Sequence, residues 1–250
     1  MCRRQGMHTR FPAIECGEIH IWSVWLENIE PFSRQLDGLS CDEQERASRF
    51  KNREVRNRWV SSRRSLRLIL GKYFGVEAGN VRFRYEENGK PVLDHGGGPP
   101  IHFNASLSGE LLVVALTWLG PLGADVERIG PMPDAMKFAR EFFADAEWHA
   151  LQNLPEASRE LAFFKLSTRK EAYLKAKGDG LSGSLSDLIL RIASSDPMRI
   201  VVDQRSLVGG DWKLYEFDPV SGYVGAIAIN TPDECKLRHL QCSTHDFQGE

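Results

Sequence analysis

Two carboxylates stand two residues apart at Asp125 and Glu127, inside a short apolar run that predicts a strand. Side chains at i and i+2 of a strand leave the same face, so both carboxylates would share one environment. Two converging carboxylates are costly unless water or a cation neutralises them. A hard divalent ion such as Mg2+ takes oxygen ligands of this kind. On spacing alone, a solvated pair on an exposed strand remains the competing interpretation.

A second candidate set lies on a predicted helix, at Ser167, Glu171 and Lys175. The i, i+4, i+8 spacing puts the three side chains in one line. One interpretation is an exposed Glu-to-Lys pair, which stabilises a helix by a few tenths of a kcal/mol. The other makes Glu171 a third oxygen ligand of a metal ion and Lys175 a cation facing a phosphate. The spacing leaves both open.

A basic stretch supplies the third feature. Between Glu43 and Lys72 the chain carries ten Lys or Arg and three acidic residues, although its total formal charge is -2. Such a local excess favours an anionic ligand, and arginine suits phosphate because its guanidinium donates two parallel hydrogen bonds. With the carboxylates, it predicts a site for a multiply phosphorylated ligand. Nucleic-acid binding is disfavoured, because the chain is not globally basic and lacks interleaved exposed aromatics.

Periodicity predicts the elements that position these groups. A capping box at Ser40 starts a helix, and a long amphipathic helix should end at Gly75. Another long helix should cover 157–177 and end at Gly178. Shorter helices are predicted over 133–143 and 146–153, and strands over 14–25, 81–85, 101–104, 111–118, 124–127, 188–192, 212–218 and 223–229. This order indicates an α+β fold in two halves, with an N-terminal lobe over 1–119, a C-terminal lobe over 120–232 and a frayed polar tail over 233–250.

The motifs resemble those of the 4'-phosphopantetheinyl transferase superfamily, in particular its longer, two-lobed Sfp-type enzymes. Residues 123–127 (G-A-D-V-E) look like the family's G-[IVA]-D-[IV]-E motif. Residues 168–175 (T-R-K-E-A-Y-L-K) look like most of W-[STC]-x-K-E-[AS]-x-x-K. Residues 89–91 match its G-K-P element, and 103–109 (F-N-A-S-L-S-G) stand where the family has F-N-[LIV]-S-H-S-G. The resemblance covers the chain from about Leu39 to Ile229.

The resemblance implies two similar lobes related by a pseudo-twofold, with coenzyme A in the cleft between them. Asp125, Glu127 and Glu171 would hold Mg2+ against the coenzyme's diphosphate, and Lys175 would face the same phosphates. The further coenzyme-binding residues implied are Arg46, Arg63, Lys90, Pro91 and Ser106. The reaction would transfer the phosphopantetheine arm to a serine of an acyl or peptidyl carrier protein and release adenosine 3',5'-bisphosphate. The base that deprotonates this serine would be Glu171 or, alternatively, Glu127.

Two positions depart from the family pattern. Leu107 stands where the family has a histidine that donates to a coenzyme phosphate, and Ser167 replaces the aromatic residue that opens the helix motif. Neither is a proposed metal ligand. They nevertheless motivate an alternative hypothesis, a coenzyme A-binding paralogue with weak or lost transferase activity.

Composition excludes several other classes. The five cysteines are dispersed without a C-x-x-C motif, which disfavours a disulfide framework or structural zinc site. No apolar run approaches the ~18 residues that a membrane span requires. The basic N-terminus lacks the apolar segment of a secretion signal, so we expect a cytoplasmic protein. Two lobes in one chain would complete the cleft without a second copy, which favours a monomer.

Overall fold

The N-terminal lobe is a four-stranded sheet covered by one long helix. The computed structural model describes residues 11–26, 36–86, 89–94, 100–178, 185–186, 188–193, 196–202 and 210–247. The elements of this lobe are β1 (Glu18–Trp25), α1 (Cys41–Ser48), α2 (Arg53–Phe74), β2 (Phe83–Tyr85), β3 (Pro91–Leu93), β4 (His102–Ser108) and β5 (Leu111–Thr117). Strands β4, β5 and β1 are antiparallel neighbours, and β2 pairs with β3 as a separate hairpin.

Local capping sets the bounds of the two helices. The Ser40 amide donates to Glu43 Oε2 at 3.1 Å, which completes the predicted capping box of α1. Asn52 Oδ1 accepts two amides of the first turn of α2. Gly75 ends α2 with a φ of 67°, a left-handed conformation that glycine adopts without steric cost. The predicted start of α1 and end of α2 are therefore confirmed.

The C-terminal lobe pairs a three-stranded sheet with a second 22-residue helix. Its elements are β6 (Leu122–Arg128), α3 (Ala135–Phe142), α4 (Asp145–Gln152), α5 (Glu156–Lys177), β7 (Leu190–Ala193), β8 (Asp196–Val202), β9 (Trp212–Phe217) and β10 (Tyr223–Asn230). Strand β10 lies between β6 and β9, antiparallel to both, and β7 pairs with β8. Gly178 ends α5 as predicted, with a φ of 80°. Strand β8 has no counterpart among the predicted elements.

Alternating side chains stack these elements in four layers. One face of the N-terminal sheet packs on α2, through residues that include Trp22, Val114 and Leu116. Its other face packs on the C-terminal sheet, through a shared core that includes Ile19, Ile21, Val113, Ala124, Val126 and Ile227. The far face of the C-terminal sheet packs on α5, through residues that include Ala172, Ala176 and Ala226. The order is helix, sheet, sheet, helix, and it confirms an α+β fold with two lobes.

The expectation of a frayed tail after Thr231 is wrong. Residues Lys236–Ser243 form strand β11, which pairs in parallel with β1 from Glu18 opposite Lys236 to Trp25 opposite Ser243. Without β11, the buried strand β1 would be an open edge of the sheet. Leu240 also packs against the N-terminal core, so the end of the chain returns to the N-terminal lobe. Residues 248–250 lie outside the described residues. Within the described part of the chain, no helix has the length and apolarity to cross a membrane.

Candidate active site between the lobes

A close approach of β6 to α5 brings the candidate residues together. A Cβ built on Gly123 would lie 1.9 Å from the Ala172 carbonyl oxygen. Only glycine permits this backbone contact, because every other residue carries a Cβ. Asp125 and Glu127 leave β6 on the same face as Gly123. They therefore lie against α5, the helix that carries the other two candidate residues of the site, Glu171 and Lys175.

Asp125 is a buried carboxylate with one engaged oxygen. Its Oδ1 accepts from Lys175 Nζ at 2.7 Å and from Ser106 Oγ at 2.8 Å. Lys175 Nζ also donates to Ser106 Oγ at 3.0 Å, so the three side chains form a closed triangle. Asp125 Oδ2 is buried and has no hydrogen-bond partner in the described structure. Since a buried carboxylate oxygen normally has a partner, this atom indicates room for a cation or a donor from a ligand.

Glu127 and Glu171 complete a group of three carboxylates. Glu127 Oε2 accepts from Ser108 Oγ at 2.8 Å. Burial raises the pKa of Glu127, and the negative charge of Asp125 raises it further. Burial likewise raises the pKa of Glu171, again reinforced by Asp125. Like charges in a partly desolvated site have this effect, and a bound cation would reverse it.

The described residues do not already form a metal cage. Among them, no three His, Cys, Asp or Glu side chains converge closely enough to hold an ion as they stand. The Lys175 ammonium instead binds Asp125 on β6 and Ser106 on β4. The donor set is nevertheless all oxygen and anionic, which is the set that Mg2+ prefers.

Comparison with known proteins identifies the family of this chain. Residues 121–228 match the model of the 4'-phosphopantetheinyl transferase superfamily, and residues 23–118 match that of the 4'-phosphopantetheinyl transferase N-terminal domain. The chain is 36% identical to the 4'-phosphopantetheinyl transferase HetI of Nostoc sp., over 85% of this chain and 87% of the relative. The chain belongs to the 4'-phosphopantetheinyl transferase superfamily.

A more distant relative extends this likeness. The chain is 28% identical to the 4'-phosphopantetheinyl transferase Sfp of Bacillus subtilis, over 82% of this chain and 88% of that protein. Both family models and both relatives agree with the resemblance carried by the sequence motifs. The predicted transferase activity is thereby confirmed, with coenzyme A as donor and a carrier protein as acceptor.

The predicted coenzyme ligand Arg63 of this transferase is engaged within its own lobe. Its guanidinium donates to Glu43 Oε1 through Nη2 at 2.5 Å and through Nε at 2.8 Å, and it lies over the Phe83 ring. Arg67 pairs with the other oxygen of Glu43. Burial alone would raise the pKa of Glu43, but the charge and hydrogen bonds of Arg63 and the charge of Arg67 together outweigh burial and lower that pKa. A coenzyme phosphate would therefore compete with a buried carboxylate for Arg63.

Arg46 lies at the surface of the same lobe. Its guanidinium sits over the Trp59 ring, 5.3 Å from the centroid. Together with Asp42, Arg49 and Phe50 it lines an open depression beside α1. An arginine held flat by an aromatic ring keeps its outer donors directed at solvent, which suits its predicted role toward an anionic ligand.

Lys90 and Pro91 lie where the N-terminal hairpin meets the C-terminal lobe. Lys90 Nζ donates to the Lys175 carbonyl at 2.7 Å and to the Leu122 carbonyl at 3.3 Å. Both residues line a cavity of about 210 Å³ that also touches Phe103. The lysine that the resemblance assigns to coenzyme thus bridges two backbone carbonyls of the other lobe.

The two departures from the family pattern lie on β4 and on α5. Leu107 alternates with Ser106 and Ser108 along β4, so it leaves the opposite face, and it is 36% exposed. The Ser167 hydroxyl donates to the carbonyls of Phe163 and Phe164 in the preceding turn of α5.

Sequence reasoning missed two residues that join the lobes. Strand β4 continues past the predicted end at Asn104, which aligns Asn104, Ser106 and Ser108 on one face. Asn104 Oδ1 accepts the Ala124 amide at 2.9 Å. Ser108 Oγ donates to Glu127 and accepts the Arg128 amide. The alternation of polar residues at 104, 106 and 108 was the available signal, because it predicts one polar strand face.

Proposed function

We propose that Asp125, Glu127 and Glu171 hold Mg2+ against the diphosphate of coenzyme A during transfer to the serine hydroxyl of a carrier protein. The observation that carries this proposal is the buried, unpartnered Oδ2 of Asp125, which lies in a group of three carboxylates. The raised pKa values of Glu127 and Glu171 support the same assignment. Bound there, Mg2+ would supply positive charge to the phosphate oxygens of the donor.

The chain's own residues orient the donor and the leaving group. Lys175 lies in the last turn of α5, and its Nζ is 2.7 Å from Asp125 Oδ1. Its ammonium would bind the phosphate that leaves with adenosine. Ser106, which bonds to both Asp125 and Lys175, would hold these two side chains in register. Positioning and electrostatic stabilisation of this kind account for most of the rate enhancement in phosphoryl transfer.

The chemical step exchanges one P–O bond for another. The carrier serine oxygen attacks the phosphorus that bears the pantetheine arm, and the bridging P–O bond of the diphosphate breaks. Adenosine 3',5'-bisphosphate departs with the bond's electron pair. The serine proton passes to a carboxylate, directly or through water. We assign this base to Glu171, whose pKa is raised by burial, and Glu127 is the alternative.

The remaining predicted contacts concern the adenine end and the setting of the reaction. We assign Arg46, Arg63, Pro91 and Ser106 to the coenzyme as the resemblance implies. Lys90, which the resemblance also assigns to the coenzyme, donates instead to two backbone carbonyls of the other lobe. A monomer suffices, because both lobes contribute to the cleft within one chain. A cytoplasmic setting agrees with the four described cysteines, none of which forms a disulfide.

The test is an assay with apo carrier protein, coenzyme A and Mg2+, read by intact mass. One phosphopantetheine mass should be added to one carrier serine, and only when Mg2+ is present. Acyl and peptidyl carriers should be compared, since the carrier class is open. Calorimetry with coenzyme A is run in parallel. Binding without any transfer, at high enzyme and with several carriers, would support the alternative of an inactive paralogue.

A further inference from the structure

The Lys90 side chain crosses from one lobe to the other. It belongs to the segment before β3 and is partly buried, with its Nζ at 2.7 Å from the Lys175 carbonyl oxygen and 3.3 Å from the Leu122 carbonyl oxygen. Leu122 begins β6, and Lys175 lies in the last turn of α5. One ammonium therefore holds the two elements that carry Asp125 and Glu171.

The Lys175 carbonyl is one of the acceptors that a helix leaves without an internal partner. Helix α5 ends at Lys177, and the Gly178 amide bonds to the Leu174 carbonyl, one residue earlier. Carbonyls of the last turn have no amide four residues ahead inside the helix. A cation at this end also interacts favourably with the negative end of the helix dipole. Lys90 thus caps α5 from the opposite lobe.

The same residue of α5 carries the catalytic ammonium. While the Lys175 carbonyl receives Lys90, the Lys175 side chain reaches Asp125 Oδ1 and Ser106 Oγ. A second hydrogen bond joins the N-terminal lobe to the C-terminal lobe, because Asn104 Oδ1 accepts the amide of Ala124, the residue before Asp125. Both contacts, from Lys90 and from Asn104, involve backbone atoms of the C-terminal lobe. These atoms belong to Lys175 itself and to the residue before Asp125.

We propose that Lys90 and Asn104 form an inter-lobe clasp that positions Lys175 against Asp125. Lys90 is then a positioning residue rather than a phosphate ligand. The clasp rests on the proposed role of Lys175 toward the coenzyme diphosphate. It explains why a lysine in the G-K-P segment is directed at the end of a helix in the other lobe.

The two roles of Lys90 predict opposite kinetic effects for Lys90→Met. Charge accumulates on the leaving phosphate in the transition state, so misplacing Lys175 should lower kcat at least tenfold and change the Kd for coenzyme A only a few-fold. Lys90→Arg, which keeps a charged donor, should recover most of kcat. Lys213→Met is the matched control, because Lys213 Nζ also donates to backbone carbonyls, including that of Asp233 at 2.8 Å, but to none on β6 or α5.

The experiment measures kcat and KM with an apo carrier, the Kd for coenzyme A by calorimetry and the melting temperature of each variant. Lys213→Met should lower stability without changing kcat, which separates positioning from general stability. If Lys90→Met does not fold, Lys90→Gln replaces it, with the same split expected. A tenfold or greater rise in Kd with unchanged saturating kcat would overturn the clasp and make Lys90 a coenzyme ligand. Absence of transfer by the unmodified protein would contradict the proposed function itself, whereas equal kcat for unmodified protein and Lys90→Met would contradict the clasp alone.

Discussion

At the scale of single residues, the site is a balance between three carboxylates and one ammonium. Lys175 neutralises one oxygen of Asp125, while the other is buried without a partner. Glu127 and Glu171 respond to the excess negative charge with raised pKa values, burial being the larger cause for each. An added cation would give Asp125 Oδ2 a partner and would reduce the repulsion among the three carboxylates. This charge balance supports the proposed binding of Mg2+ at the site.

The two glutamates should separate in their response to Mg2+. Glu171→Gln would remove both a proposed metal ligand and the proposed base, whereas Glu127→Gln would remove a proposed ligand only. Because an amide keeps shape but loses charge and basicity, we expect transfer to fall by orders of magnitude in Glu171→Gln and to recover little at saturating Mg2+. Glu127→Gln should recover in part. The measurement is the transfer rate of each variant over a Mg2+ titration.

Opposite outcomes would reassign the roles. Full recovery of Glu171→Gln at high Mg2+ would remove it as the base, and failure of Glu127→Gln to recover would favour Glu127 in that role. Near-normal activity of Glu171→Gln at limiting Mg2+ would remove Glu171 from the site altogether. Circular dichroism of both variants checks that the fold is intact.

Metal binding should also be visible without turnover. With coenzyme A present, Mg2+ should raise the melting temperature, since a ligand at about 100 times its Kd stabilises the native state by about 2.7 kcal/mol. Asp125→Asn should abolish this shift, because it removes the negative charge of the carboxylate whose Oδ2 has no partner. Asp218→Asn, at an exposed carboxylate after β9, should retain it. An equal shift in both variants would place the metal elsewhere.

At the scale of elements, the sequence predicted those features that depend on residues close together along the chain. Ser40 and Gly75 define helix ends through atoms a few residues away, and both ends were predictable. The i, i+2 spacing of Asp125 and Glu127 correctly predicted one shared face. The pairing of Arg63 with Glu43 joins residues twenty positions apart, and β11 needs β1 as a template. Such partners depend on the fold as a whole, so no local pattern reveals them.

The contact of β6 with α5 provides a test at this scale. Gly123→Ala would force a methyl group against the Ala172 carbonyl, and overpacking of this severity should cost about 3 kcal/mol of unfolding free energy. Transfer should fall in parallel, because the displaced helix carries Glu171 and Lys175. Gly130→Ala is the matched control, since a Cβ at Gly130 meets open space. Urea unfolding and transfer rates are compared, and equal stability of the two variants would contradict the close approach.

At the scale of the whole molecule, the two lobes are not independent bodies. Their sheets share one apolar core, and the chain end returns to the first lobe as β11. This return is reinforced by polar contacts that start at Glu18, whose Oε1 accepts from Lys236 of β11 at 3.1 Å. Its Oε2 accepts from His20 Nε2 at 3.0 Å, which leaves Nδ1 to accept the Tyr73 hydroxyl at 2.6 Å. A neutral His20 satisfies every group in this chain of hydrogen bonds.

This network makes stability depend on pH with a definite sign. Burial lowers the pKa of His20, so below about pH 6.5 the unfolded chain binds a proton that the folded protein resists. The hydrogen bond from His20 lowers the pKa of Glu18 to about 2, so its contribution is present above its unfolded pKa and disappears as the pH falls toward 2. Both groups therefore make the unfolding free energy decrease on acidification, His20 first. We expect His20→Gln to flatten the dependence between pH 6.5 and the lowered pKa of His20, relative to the unmodified protein, in urea unfolding at a series of pH values. A slope unchanged by His20→Gln would show that His20 is not held neutral, and its Nδ1 would then donate to the Tyr73 hydroxyl instead of accepting from it.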